Sequence, residues 1–342
     1  MRRMLMTNNP NREVISSALS LSCERRRYAR FRHLHPMIKQ SFIAAVILTA
    51  SLGASLAADL DTAKIDSLTG LKGKMSAAEG VYKVTFPRDD VKISVAGWQM
   101  PPFMGLGTWA AFQGSAENAM MMGDTVLFED EVNAAMSAAL ENGLSVTALH
   151  NHFFFDQPRI FFMHIEGKGR AEQLAAAVRK VYDSVKAIRR LTPKPGDSFG
   201  RLVSDKGFLP EKNSVSAGPL NEIFAVPGET KDGMVKFTIG KKSRMDQMEI
   251  GNTMGVNTWA AFAGSDDSAV VDGDFAMTED ELQPVLQSLR KSGINIVAIH
   301  NHMTHESPRI MFLHFWGRGP ASDLANAIKT ALELTETDLT RS

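Results

Sequence analysis

A neutral imidazole offers a nitrogen lone pair to a metal ion near physiological pH, and seven of the nine histidines in this chain fall in two short segments. His150-Asn151-His152 with His164 returns 150 residues later as His300-Asn301-His302 with His314, and His305 is added in the second copy. On a strand, residues i and i+2 share a face. Each His-x-His pair can therefore present two rings to one ion, with bonds of about 2.0–2.1 Å if the ion is zinc. The third ligand has two candidates per copy. One is His164 or His314 on the following strand. With His152 opposite Ile160, His150 faces Phe162 and its diagonal to His164 is about 7–8 Å between α-carbons, which leaves His152 too far away to join them. The other candidate is Asp156 or Glu306 in the intervening turn, completing a two-histidine, one-carboxylate set suited to Fe(II), Mn or Zn. The expected metal set is thus His150, His152, Asp156 and His164 in one copy, and His300, His302, Glu306 and His314 in the other, with zinc the leading ion. Packing is the competing account, because duplication preserves core histidines as well as ligands.

Other duplicated polar residues admit plainer explanations. Arg159 and Arg309 each follow a proline at the start of a strand, where a guanidinium fork could grip a carboxylate or phosphate or form a surface salt bridge. Asp124 and Asp274 each follow a glycine and read first as turn residues, with metal ligation the alternative. Glu131 and Glu281 read as helix-start residues. Met120-Met121-Met122 has no methionine counterpart at Val270-Val271-Asp272, which favours core filling over soft-metal capture. His305 and Trp316 stand where the first copy has Phe155 and Glu166, so 300–319 is the better-equipped segment. No serine-histidine-aspartate order, phosphate-binding glycine loop or HExxH helix is present.

The elements that position these residues are duplicated too. Thr108-Trp-Ala-Ala-Phe112 returns as Thr258-Trp-Ala-Ala-Phe262, Gly123-Asp124 as Gly273-Asp274, and Pro158-Arg159-Ile160 as Pro308-Arg309-Ile310. The copies span about 62–190 and 218–340, joined by a proline- and glycine-rich linker at 191–217. Alternation predicts strands at 81–86, 91–98, 108–113, 119–127, 144–152 and 159–166, and helical periodicity predicts helices at 129–142 and 170–189. Thr278-Glu-Asp-Glu281 is a capping box that starts the equivalent helix. The order from Gly123 is β-α-β-β-α. This gives an α+β expectation of two tandem two-layer sandwich domains, with a ferredoxin-like core, paired about a pseudo-twofold axis like a fused homodimer.

Composition sets the address. The chain of 342 residues is 44% hydrophobic and 22% charged, as in a globular protein. Phe42 to Ala57 is apolar, follows Lys39 and closes on small residues, which reads as a signal peptide over 1–57, with Met37 an alternative start. Of 38 basic and 38 acidic residues, nine and two lie in that segment, leaving 29 and 36 and a net charge of −7. Such a chain suits neither nucleic acid nor anionic lipid and has no membrane span once the signal is removed. The single cysteine, Cys23, leaves with the signal, so no disulfide, thiolate ligand or lipid-bearing cysteine remains. A periplasmic or secreted protein is expected.

Trp259-Ala-Ala-Phe262, Gly273-Asp274, Ala298-Ile-His-Asn-His302 running into Pro308-Arg-Ile310, and His314-Phe-Trp-Gly317 resemble the repeat of the LppY/LpqO family of bacterial exported proteins. The likeness covers both copies and departs from lipoprotein members in lacking the anchoring cysteine. It implies export and the tandem repeat and supplies no reaction. Three functions stay open: an exported protein that holds a divalent metal; a metal-dependent hydrolase, with a bicupin-like oxygenase as a minor variant, in which Arg159 or Arg309 grips an anionic ligand; and a non-catalytic envelope protein that binds a ligand or partner, with structural histidines.

Overall fold

The computed structural model describes residues 59–197 and 209–335. The expected signal segment, Cys23, part of the linker and the last residues of the second copy lie outside the described residues. The first repeat runs α1 (Thr62–Thr69), β1 (Gly73–Ser76), β2 (Val81–Pro87), β3 (Ser94–Val95), β4 (Trp98–Gln99), β5 (Gly107–Gly114), β6 (Ala119–Phe128), α2 (Glu129–Glu141), β7 (Ser145–His150), β8 (Asp156–Gln157), β9 (Ile160–Gly169) and α3 (Ala171–Leu191). The second runs α4 (Ala217–Phe224), β10 (Glu229–Lys231), β11 (Met234–Gly240), β12 (Ser243–Met245), β13 (Met248–Ile250), β14 (Asn257–Gly264), β15 (Ala269–Thr278), α5 (Glu279–Lys291), β16 (Asn295–His300), β17 (Glu306–Ser307), β18 (Ile310–Gly319) and α6 (Ala321–Leu332).

Helix starts have identifiable causes. Asp61 caps α1 by accepting from the Lys64 N–H at 2.9 Å. Glu131 folds back to accept from the Phe128 N–H at 2.9 Å, and Glu281 from the Thr278 N–H at 2.7 Å. Each of these carboxylates also takes a buried cation, Arg88 at 2.7 Å and Lys241 at 2.8 Å. The helix-start reading therefore holds, and the glutamates tie the helix to the preceding strands as well. On α3, Leu174, Ala177, Val178, Val181, Tyr182 and Val185 form the buried stripe; full burial of each large apolar side chain contributes about 1.5–3 kcal/mol.

Both repeats enter one antiparallel sheet of twelve strands, ordered β1-β2-β5-β6-β9-β7-β16-β18-β15-β14-β11-β10. The copies are thus continuous through the sheet, where separate sandwiches had been expected to pack together. The join is the pair Leu149↔Ile299 between β7 and β16. Reciprocal side-chain bonds reinforce it. Asn133 on α2 bonds the backbone N–H and carbonyl of Ile296, and Gln283 on α5 does the same for Val146. The main core, shared by the helices and both halves of the sheet, runs across this seam.

Two small sheets, β4-β3-β8 and β13-β12-β17, stand apart from the large one. Each lies with a satellite core, around Phe162 in the first repeat and Phe312 in the second. The strand expected over 91–98 is one of the differences. Ala96 and Gly97 adopt φ of +50° and +81°, which turns the segment into a tight hairpin outside the main ladder.

Candidate metal centre

Register places the site. Along the first repeat Trp109 pairs with Asp124, Asp124 with His164, and His164 with Ala148. Directly opposite residues of an antiparallel sheet share a face, so the buried aspartate and the strand histidine stand side by side. The second repeat gives the same row through Trp259, Asp274, His314 and Ala298. A β-bulge in β7 and in β16 falls just before the histidine pair, and the strand ends at His150 or His300. His152 and His302 therefore leave the ladder. Each folds its ring flat onto Phe162 or Phe312, with centroids 3.4 and 3.5 Å apart.

That fold-back overturns the expectation that His152 and its counterpart stand too far off. In the second repeat His302 Nε2 lies 3.1 Å from Asp274 Oδ2 and 3.2 Å from His300 Nε2, and His300 Nε2 is 3.8 Å from the same carboxylate oxygen. Ligating atoms of Asp274, His300 and His302 all fall within 4.8 Å of one another. Two ligands on a tetrahedral zinc are about 3.3–3.4 Å apart, given bonds of about 2.0–2.1 Å; the 3.1 and 3.2 Å separations lie near such an edge and the 3.8 Å one is longer. His302 Nδ1–H donates to the Gly255 carbonyl at 3.1 Å, which turns the Nε2 lone pair toward the cluster. His314 stacks on His300 with centroids 4.6 Å apart, and its Nδ1 is 3.9 Å from Asp274 Oδ1.

The electrostatics of the cluster suit a cation beside the aspartate. Asp274 is 2% exposed and its Oδ1 has no hydrogen-bond partner; Asp124 Oδ1 is in the same position. A buried carboxylate oxygen without a donor is costly. Burial pushes both aspartates above the usual carboxylate range, opposed by the neighbouring histidines. Burial, with His314 and His302 beside it, lowers His300 to about 4, so its ring is neutral, as ligation requires.

The first repeat arranges the same residue types differently. His150 Nε2 and His164 Nε2 are 3.0 Å apart, His152 stacks on His150 at 5.1 Å, and burial lowers the His152 pKa.

The remaining sequence candidates are not brought to the clusters. Asp156 Oδ2 accepts from the Ile160 N–H at 2.7 Å and Glu306 Oε1 from the Ile310 N–H at 3.1 Å. They close the turn before β9 and β18 and pair with β3 and β12, so they do not serve as the carboxylate ligands. Arg159 and Arg309 point to Glu129 at 3.8 Å and Glu279 at 3.4 Å in exposed ion pairs, the plainer of the two expectations. Asp124 and Asp274 are the residues that sequence reasoning misplaced. They sit inside ten-residue strands, and drawing the β6–β9 pairing across the intervening helix and strand would have set them opposite the histidines. A cavity of about 590 Å³ beside the end of α3 is lined by Phe86, Lys186 and Arg190 among others and by none of these histidines. The cluster histidines of the second repeat are partly exposed and its aspartate is buried.

The architecture is that of a mixed α/β tandem-repeat protein with a histidine–carboxylate cluster able to hold a metal ion. The chain belongs to the family described as Domain of Unknown Function (DUF1259), whose pattern matches residues 63–184 and again 218–334. Comparison with curated proteins gives no match. Among solved structures, the "Crystal structure of a trimeric bacterial microcompartment shell protein PduB" aligns over 77% of this chain and 89% of its own, at 9% identity and a TM-score of 0.20. A likeness of that size transfers neither fold nor function.

Proposed function

We propose that this is an exported protein that binds divalent metal, zinc foremost, through its two histidine–carboxylate clusters. The observation that carries the reading is the convergence of Asp274, His300 and His302 around a buried oxygen with no donor. His314 is the candidate fourth ligand, and Asp124, His150, His152 and His164 form the counterpart in the first repeat. The resemblance to the LppY/LpqO family and the N-terminal apolar segment support export. The order β6-β9-β7, with α2 and α3 on the strands, supports a ferredoxin-like reading of each two-layer half, β5 taking the place of a last strand.

A hydrolytic variant of this function is favoured by one feature. His300 and His302 keep 29% and 33% of their side chains exposed, so water and an anionic substrate could reach the ion. A bound zinc would supply a Lewis acid and an activated water there. Arg159 and Arg309 drop out as anion grips, being engaged with Glu129 and Glu279.

Metal content of untagged protein tests the reading. Stoichiometric zinc in the wild type, lost in the double variant His300→Ala/His302→Ala together with the equivalent pair in the first repeat, is the expected result. A folded wild-type protein that takes up no divalent ion would refute it. Spectra of a cobalt-substituted sample separate a water-bearing site from a closed one.

A further inference from the structure

The two clusters occupy one face of the sheet and are neighbours across the seam. Because Leu149 pairs with Ile299, Ala148 stands opposite His300 and Ala298 opposite His150. Leu149 and Ile299 enter the main core, so the histidines and alanines beside them face the other way, all partly exposed. His150 and His300 are diagonal neighbours, about 7–8 Å apart at the α-carbons. Three inter-strand steps, or about 14 Å, separate β9 from β18, which carry His164 and His314. The floor between the clusters consists of two methyl side chains, small enough for a ligand to lie against it. At its outer ends Lys83 lies 4.0 Å over the Trp109 ring and Lys236 lies 4.6 Å over Trp259. The face thus has an alanine middle, a histidine–aspartate cluster on each side and a lysine beyond each cluster.

We infer that the two clusters form one composite site that takes a single organic dianion, an anionic group at each end and an apolar middle, laid across Ala148 and Ala298. This rests on the metal reading above, since bound ions supply most of the positive charge that would hold the two ends. A linear dianion roughly 8–14 Å long spans the separations given by strand spacing. Both ends belong to one molecule, so the second contact forms at high effective concentration and raises affinity about 10²–10⁴-fold over a single contact.

Calorimetric titration of the zinc-loaded full chain with α,ω-dicarboxylates from succinate to sebacate, against monocarboxylates of equal length, tests the inference. Zinc is counted first. The expected result is two zinc ions and one dicarboxylate per chain, bound at least about 100-fold more tightly than its monocarboxylate. Ala148→Trp with Ala298→Trp should keep both ions and lose that advantage; Lys83→Glu with Lys236→Glu, two exposed positions, should weaken the dianion if the tryptophans disturb folding. A chain that takes up no zinc overturns both readings. One that holds zinc but binds two dicarboxylates, or shows no preference for the dianion, overturns the composite site alone. A single zinc ion per chain overturns it as well.

Discussion

Asp274 illustrates how a residue suited to a ligand can cost stability when no ligand is bound. Its carboxylate is buried, with Oδ1 unpartnered and Oδ2 against His302. Neutralising it removes a desolvated charge and also removes the carboxylate of the proposed metal site. Asp274→Asn should therefore raise the thermal stability of the metal-free protein, by about 1 kcal/mol, while lowering zinc affinity by more than about 100-fold, since even supporting residues around a metal site cost 10–100-fold. Melting curves with and without zinc measure both effects. A variant less stable in the metal-free form would assign Asp274 a structural role. The histidines were legible in the sequence because their type is uncommon and their spacing recurs. The aspartates were not, because a Gly-Asp dipeptide reads as a turn until its strand is paired with one that follows some 40 residues later.

At the level of elements, the sequence located the strands that carry the histidines, and helices α2 and α3, to within a few residues, since their periodicity is local. It did not locate β1, β8 or the β3–β4 hairpin, whose few residues carry no period and whose partners are distant. Helix α1 shows how such short pieces are anchored. Asp66 accepts from the Tyr82 hydroxyl at 2.5 Å and from the Gly73 N–H at 3.0 Å, with Lys72 at 3.1 Å. The Tyr82 bond is the main cause that holds its pKa below the ordinary carboxylate value. The unfolded chain then binds the proton more readily than the folded one. Stability from this contact is present above the unfolded value near 3.8 and is lost as pH falls through the native value. Asp66→Asn should show a shallower loss of stability than wild type between pH 5 and pH 2 in urea titrations; parallel curves would remove Asp66 from the acid limb.

For the whole molecule, the seam decides whether a repeat can stand alone. Cutting the chain there exposes the edge of β16 and leaves Gln283 without its Val146 partners. The same surface carries its own substitute, because Gln283 and Ile296 repeat the roles of Asn133 and Val146 about a twofold axis. A fragment of residues 209–342 should therefore pair β16 with β16 and migrate as a homodimer in size-exclusion chromatography with light scattering. A stable monomer would show the seam to be dispensable. The repeat was plain in the sequence, yet the continuity of the sheet was not, for a bond between strands 150 residues apart leaves no local trace.

Phe155 and His305 hold the same left-handed backbone, φ +60° and +67°, at the same place in the two turns, while only the histidine ring carries nitrogens that can bond a ligand. A symmetric pair of identical subunits could not make that exchange on one side only, since every mutation would fall on both. With the halves written in one gene, either can drift toward a new ligand while its sibling stays as it was.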